Sequence, residues 1–133
     1  GGIVMATFVP TFISQAVRDW FKPLQRHGKA PLDRDIKPDI AAKARAAGPP
    51  GRATLEEFCA HVEYLADKAG IAHVGIGSDF YGGPVSLGLE DVSKFPHLIA
   101  ALMERGWGEP ALAGLASRNF IRVLRGVEKA AKG

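Results

Sequence analysis

The chain has 133 residues, 47% of them hydrophobic and 23% charged, the balance of a globular domain rather than of a disordered tail or a fibre. Its 17 Lys and Arg against 14 Asp and Glu leave a net charge of +3, spread along the chain without a basic block, which argues against nucleic acid as a partner. The single cysteine, Cys59, has no internal partner for a disulfide, so a cytosolic setting is favoured. No apolar run approaches the roughly 20 residues of a membrane-spanning helix.

In chain order, Ile3 to Phe8 form a short continuous apolar run that predicts a strand buried on both faces, as in parallel sheets, ended by Pro10. Residues 14 to 27 carry Val17, Trp20, Phe21 and Leu24 at helical spacing, with Ser14 as a cap and Gly28 as a stop. Residues 29 to 52, rich in Pro, Ala and charge, read as an excursion, either a loop or a short exposed helix starting near Pro38. Thr54 and Glu57 in "TLEE" predict a capping box at the head of a helix whose apolar positions are Leu55, Phe58, Cys59, Val62, Leu65, Ala66 and Ala69 and which stops at Gly70.

A second buried strand is predicted from Val74 to Gly77, and the glycine-rich "GSDFYGG" follows it. Ser93 then introduces a helix with Leu98, Ile99, Leu102 and Met103 on one face, ending at Gly106. A short helix near Glu109 to Leu115 and a longer one with Phe120, Val123, Leu124 and Val127 facing inward complete the chain. Two fully buried parallel strands need partner strands, and the sequence offers none. Residues 1–133 therefore read as one partial domain, and Gly1 is not expected to be the natural start of the folding unit.

In folds built from parallel strands, ligands meet the carboxyl ends of the strands. Asp79 sits two residues beyond Gly77 at such an end. A carboxylate there can bind a metal or carry a proton between attacking water and leaving group. The plainer alternative is a turn aspartate that accepts bonds from the following amides. Neither a dinucleotide fingerprint nor a nucleophile elbow fits, since Phe80 stands where the third glycine belongs and Ser78 lacks flanking glycines. His27, His61, His73 and His97 show no metal-ligand spacing.

Three stretches, "AGIAHVGIGSDFYGG", "GLEDVSKFPHLIAALMERGW" and "LASRNFIRVLRGVEKA", together resemble the carboxyl-terminal part of the membrane dipeptidase (renal dipeptidase) family. "GGIVMATFVPTFIS" is similar to that family's penultimate barrel strand, and "RATLEEFCAHVEYLADKAG" to the helix before its last strand. The resemblance implies an α/β fold, the carboxyl-terminal portion of a (β/α)8 barrel of the metal-dependent hydrolase kind, with two parallel strands and about five helices.

It further implies hydrolysis of dipeptides by metal-activated water at two zinc ions, with every zinc ligand outside this chain, so that the chain alone is expected to be inert. Asp79 matches the family's proton-transferring acid. Gly82 matches a loop glycine beside the bound dipeptide, and Phe12 falls where some members line the pocket with tyrosine. Tyr81 replaces the more usual aspartate of "GSDFDGG". The partners implied are a dipeptide substrate and, as an open alternative to a monomer, a second copy in a homodimer. Two other functions stay open: a non-catalytic interaction module derived from this fold, and an amidohydrolase-like enzyme acting on another amide or a lactone.

Overall fold

The computed structural model describes residues 1–22, 42, 46, 48, 51–81 and 85–132. The helix expected near Pro38 and most of the 29–52 excursion lie outside these residues. The described elements run β1 (Val4–Ala6), α1 (Pro10–Ile13), α2 (Gln15–Phe21), α3 (Leu55–Ala69), β2 (Val74–Ile76), α4 (Phe95–Glu104), α5 (Glu109–Ala113) and α6 (Asn119–Ala131). A 3-10 turn, Ile71–His73, leads into β2; another, Val92–Lys94, leads into α4; and a widened π turn, Gly114–Arg118, joins α5 to α6.

α3 starts where its side chains satisfy the first free backbone amides. Glu57 N–H donates to Thr54 Oγ1 at 3.2 Å, and Thr54 N–H donates to Glu57 Oε2 at 2.9 Å, the reciprocal arrangement of a capping box. The helix stops because Gly70 takes φ of 88°, a conformation that costs a residue without Cβ little. Its buried face of Phe58, Cys59 and Val62 delivers the chain to β2.

The two strands pair in parallel, with Val4 opposite Val74, Met5 opposite Gly75 and Ala6 opposite Ile76. Gly75 of β2 and Gly77 just beyond it lie close under Met5 of the neighbouring strand: a Cβ on Gly75 would stand 2.8 Å from Met5 Sδ, the far end of a flexible side chain that can move aside, and one on Gly77 would stand 3.0 Å from Met5 Cβ. The core lies on the helical side of this pair, where Phe8, Phe58, Val62, Val74, Leu98 and Leu102 are fully buried. The result is the two-strand, helix-backed portion of an α/β barrel.

Several expectations are corrected. β1 is shorter than the apolar run, and Val4 and Met5 are exposed rather than buried on both faces, because no third strand among the described residues flanks the pair. The turn before α4 is capped by Asp91, whose carboxylate accepts Ser93 N–H at 2.8 Å, not by Ser93, and Met103 is exposed.

On α6, Phe120, Leu124 and Val127 are exposed rather than inward. Polar anchors set the rotation of this helix. Asn119 Nδ2 donates to the carbonyls of Ile71 at 2.9 Å and Val74 at 2.8 Å, and Arg122 donates to that of Ala72 at 2.8 Å. These bonds turn the polar edge toward β2 and away from the apolar stripe. No helix among the described residues is long and apolar enough to cross a membrane.

Candidate active site

Because β1 and β2 run in parallel, the segments that follow them leave from the same end of the sheet. Pairing continues past the strands proper, with Gly77 N–H donating to Ala6 O at 2.9 Å and Phe8 N–H to Ser78 O at 3.1 Å. Phe8 is thereby fixed beside the residue preceding Asp79. Its carbonyl accepts both Ser86 N–H and Ser86 Oγ at 3.0 Å, so the returning segment is fastened to the same point.

Asp79 is exposed at the end of this ladder. It is the one non-glycine residue with positive φ among the described residues, at 59°. Left-handed backbone costs an L-residue roughly 1–2 kcal/mol, least for Asp and Asn, and persists only where its surroundings impose it. Phe80 supplies that constraint. Its ring centroid lies 5.5 Å from that of Phe8 and 6.2 Å from that of Phe95, so the residue after Asp79 is anchored in the core while Asp79 is turned out.

Phe12 lies on α1, in the segment leaving β1 at the same end, and is 58% exposed. The sheet topology thus brings Asp79 and Phe12 to one end; Gly82 lies outside the described residues. Beside Phe12 is an open hollow of about 370 Å³ lined by Thr11, Phe12, Gln15, Arg18, Asp19 and Lys22. A second hollow, lined in part by Gly2, Val4 and His73, sits at the amino ends of the strands, opposite to where parallel sheets present their chemistry.

Other ionisable groups near this end have structural duties. Glu90 accepts Gly88 N–H at 2.9 Å and Asp91 accepts Ser93 N–H. The backbone bond from Gly88 holds the Glu90 carboxyl below its usual range, and bonding to Ser93 does the same for Asp91. At the opposite end of the strands, His73 Nδ1 lies 2.7 Å from Gly2 O; a carbonyl only accepts, so this nitrogen carries the proton. Burial lowers the pKa of His61.

Burial likewise pushes the Cys59 thiol up to about 11, with Arg105 opposing the shift. Among the described residues no group of three or more His, Cys, Asp or Glu side chains is arranged to hold a metal ion. They do not fit the zinc pair that the resemblance implies.

Sequence reasoning missed Phe8 and Phe80 as the parts that hold the Asp79 turn. Their signal was present as an aromatic at the end of the first apolar run and another immediately after the acid, but the pairing depends on strand register.

Residues 1–133 match the family model of the membrane dipeptidases (peptidase family M19) along their whole length. The chain belongs to the membrane dipeptidase family. Among curated relatives of this membrane dipeptidase chain, dipeptidase tcpJ of Claviceps purpurea (strain 20.1) is 43% identical over 83 residues, covering 62% of this chain and 20% of the relative. Dipeptidase verJ of Clonostachys rogersoniana is 46% identical over 77 residues, covering 57% and 20%.

Among solved structures, the probable dipeptidase PvdM from Pseudomonas aeruginosa superposes with a TM-score of 0.67 at 27% identity, over 91% of this chain and 36% of that one. A metallo peptidase from Rhodobacter sphaeroides, liganded with a phosphinate mimic of the dipeptide L-Ala-D-Ala, gives 0.64 at 25% identity, over 93% and 27%. The chain spans about a fifth of the length of the curated relatives it matches.

Proposed function

We propose that this chain is the part of a zinc-dependent dipeptidase that contributes the proton-transferring acid, Asp79, and part of the substrate wall, Phe12 and Gly82. The observation that carries the reading is the Asp79 turn: a carboxylate held in left-handed backbone at the carboxyl end of β2, between the Phe8–Ser78 bond and the half-buried Phe80 ring packed against the core. Family membership along the whole chain supports the reaction class.

In this role Asp79 takes a proton as water adds to the peptide carbonyl, and gives it to the nitrogen as the C–N bond breaks, so that the amine departs neutral. Its exposure leaves the carboxylate accessible to substrate. Phe12 offers a ring without a hydroxyl, so it contributes apolar contact and no hydrogen bond. Tyr81 is fully exposed, which fits a change at the loop rim rather than in the reaction. Two zinc ions would come with ligands from sequence beyond the described residues, and the chain by itself is expected to be inert.

The test is Asp79→Asn in the zinc-loaded protein that carries this segment, with L-Ala-D-Ala as substrate. Turnover should fall by roughly 100- to 10,000-fold, the span of positioned acid–base catalysis, with zinc content unchanged. Near-normal turnover would remove Asp79 from the mechanism.

A further inference from the structure

The hollow beside Phe12 has a charge pattern that the proton-transfer chemistry does not use. Gln15, Arg18, Asp19 and Lys22 fall at i, i+3, i+4 and i+7, one face of the α2 segment, and all four line the hollow together with Thr11 and Phe12. Asp19 is occupied, its Oδ1 accepting Gln15 Nε2 at 2.8 Å. Arg18 is pinned: its Nε donates to Thr11 O at 3.1 Å, which fixes the guanidinium against α1 and leaves its terminal nitrogens for another acceptor. Neither Arg18 nor Lys22 has a carboxylate partner among the described residues.

The hollow is therefore a recess with two cations, one carboxylate that keeps its charge while bonded to an amide, and one exposed ring, leaving a net charge of +1. A positioned guanidinium beside an ammonium suits a carboxylate, which accepts two parallel N–H bonds from the fork. The Phe12 ring gives the methylene stem of an acidic side chain an apolar wall. The segment that carries the recess leaves β1 at the Asp79 end of the sheet, since α1 begins two residues after Phe8, whose amide is bonded to Ser78.

We infer that Arg18 and Lys22 select dipeptides carrying a side-chain carboxylate, as in a glutamyl or aspartyl residue. The inference rests on the dipeptidase reading above and adds the substrate class to it.

The experiment compares Ala-Glu, Glu-Ala and their glutamine counterparts, with Ala-Ala as the neutral reference, in the zinc-loaded protein carrying this segment. Hydrolysis is read as kcat/KM, and binding is read separately by calorimetry with phosphinate mimics of the same pairs. An acidic-over-amide preference of up to about fivefold per cation is expected, as for exposed ion pairs, shrinking as salt shortens the screening length to roughly 8 Å. The position of the favoured Glu tells which residue of the dipeptide faces the recess.

In Arg18→Gln and in Lys22→Gln that ratio should fall toward unity in both readouts. The lysine variant breaks no described bond, so it answers even if loss of the Thr11 contact disturbs α1. Hydrolysis and binding without acidic preference, or a preference that survives both substitutions, would overturn the inference and leave the dipeptidase reading standing. No hydrolysis of any dipeptide, Ala-Ala included, would overturn both.

Discussion

Truncating Phe8 tests whether the Asp79 turn is held from the core. The ring is fully buried and makes three aromatic contacts, at centroid distances of 4.9 Å to Phe58, 5.5 Å to Phe80 and 5.7 Å to Phe95. Phe8→Ala removes the transfer energy of the ring and opens a cavity among those neighbours, a loss of about 3–5 kcal/mol. Set against a typical total of roughly 5–15 kcal/mol, that is a large fraction of domain stability.

Phe8→Leu keeps most of the buried area but forfeits the edge-to-face geometry, each pair being worth about 0.5–1.5 kcal/mol, so it should recover only part of the loss. Urea unfolding of parent and both variants, in the protein carrying this segment, measures the costs. Beyond stability, Phe80 loses one of its two ring contacts, and Asp79 moves with it. Displacements near 1 Å can cost on the order of a hundredfold in rate, so the folded fraction of Phe8→Ala should hydrolyse dipeptide at least about tenfold more slowly than the parent. An alanine variant within about 1 kcal/mol of the parent, or one as active as the parent, refutes this account of the turn.

Asp79→Gly separates strain from chemistry. Glycine adopts φ near 59° without the Cβ clash, so the variant should unfold within about 1 kcal/mol of the parent, on the stabilising side, while turnover is lost; a clear destabilisation would show that the carboxylate holds the turn. Cys59 gives a pH signature. Its folded thiol titrates near 11 against an ordinary 9.0, so folding favours the protonated form. That contribution is complete below pH 9 and is lost as pH rises from about 9 to about 11. The urea midpoint of the parent should fall across that window more steeply than that of Cys59→Ala, and equal slopes would contradict it.

Much of the frame was legible because the responsible interactions are local. Thr54 and Glu57 announce the start of α3 by sequence alone, and Gly70 its end, since capping involves residues three or four apart. The existence of the two parallel strands was legible from their apolar runs, but the burial of β1 on both faces was not, since Val4 and Met5 are exposed. The facing of α6 was not: its apolar stripe predicts burial, yet the carbonyls that Asn119 and Arg122 reach lie 45 or more residues away, and those bonds set the rotation. Likewise the close approach of Met5 to Gly75 and Gly77 is a fact of register. The recess beside Phe12 was invisible for another reason, since Arg18 and Lys22 read as ordinary solvated helix charges until α1 is folded against α2.

The register of β1 against β2 joins positions such as Val4 and Val74, so the central pairing closes over about half of the chain. Contacts this distant in sequence close slowly, because the entropy of the intervening segment must be overcome before they reward it. α3 and the turn into β2 can form early from neighbouring residues, whereas the Phe8–Ser78 bond that fixes the acid must wait for the ends to meet. Closure of the Phe8–Ser78 bond is thus expected late in folding, and an incompletely folded chain carries the Asp79 carboxylate without the turn that holds it.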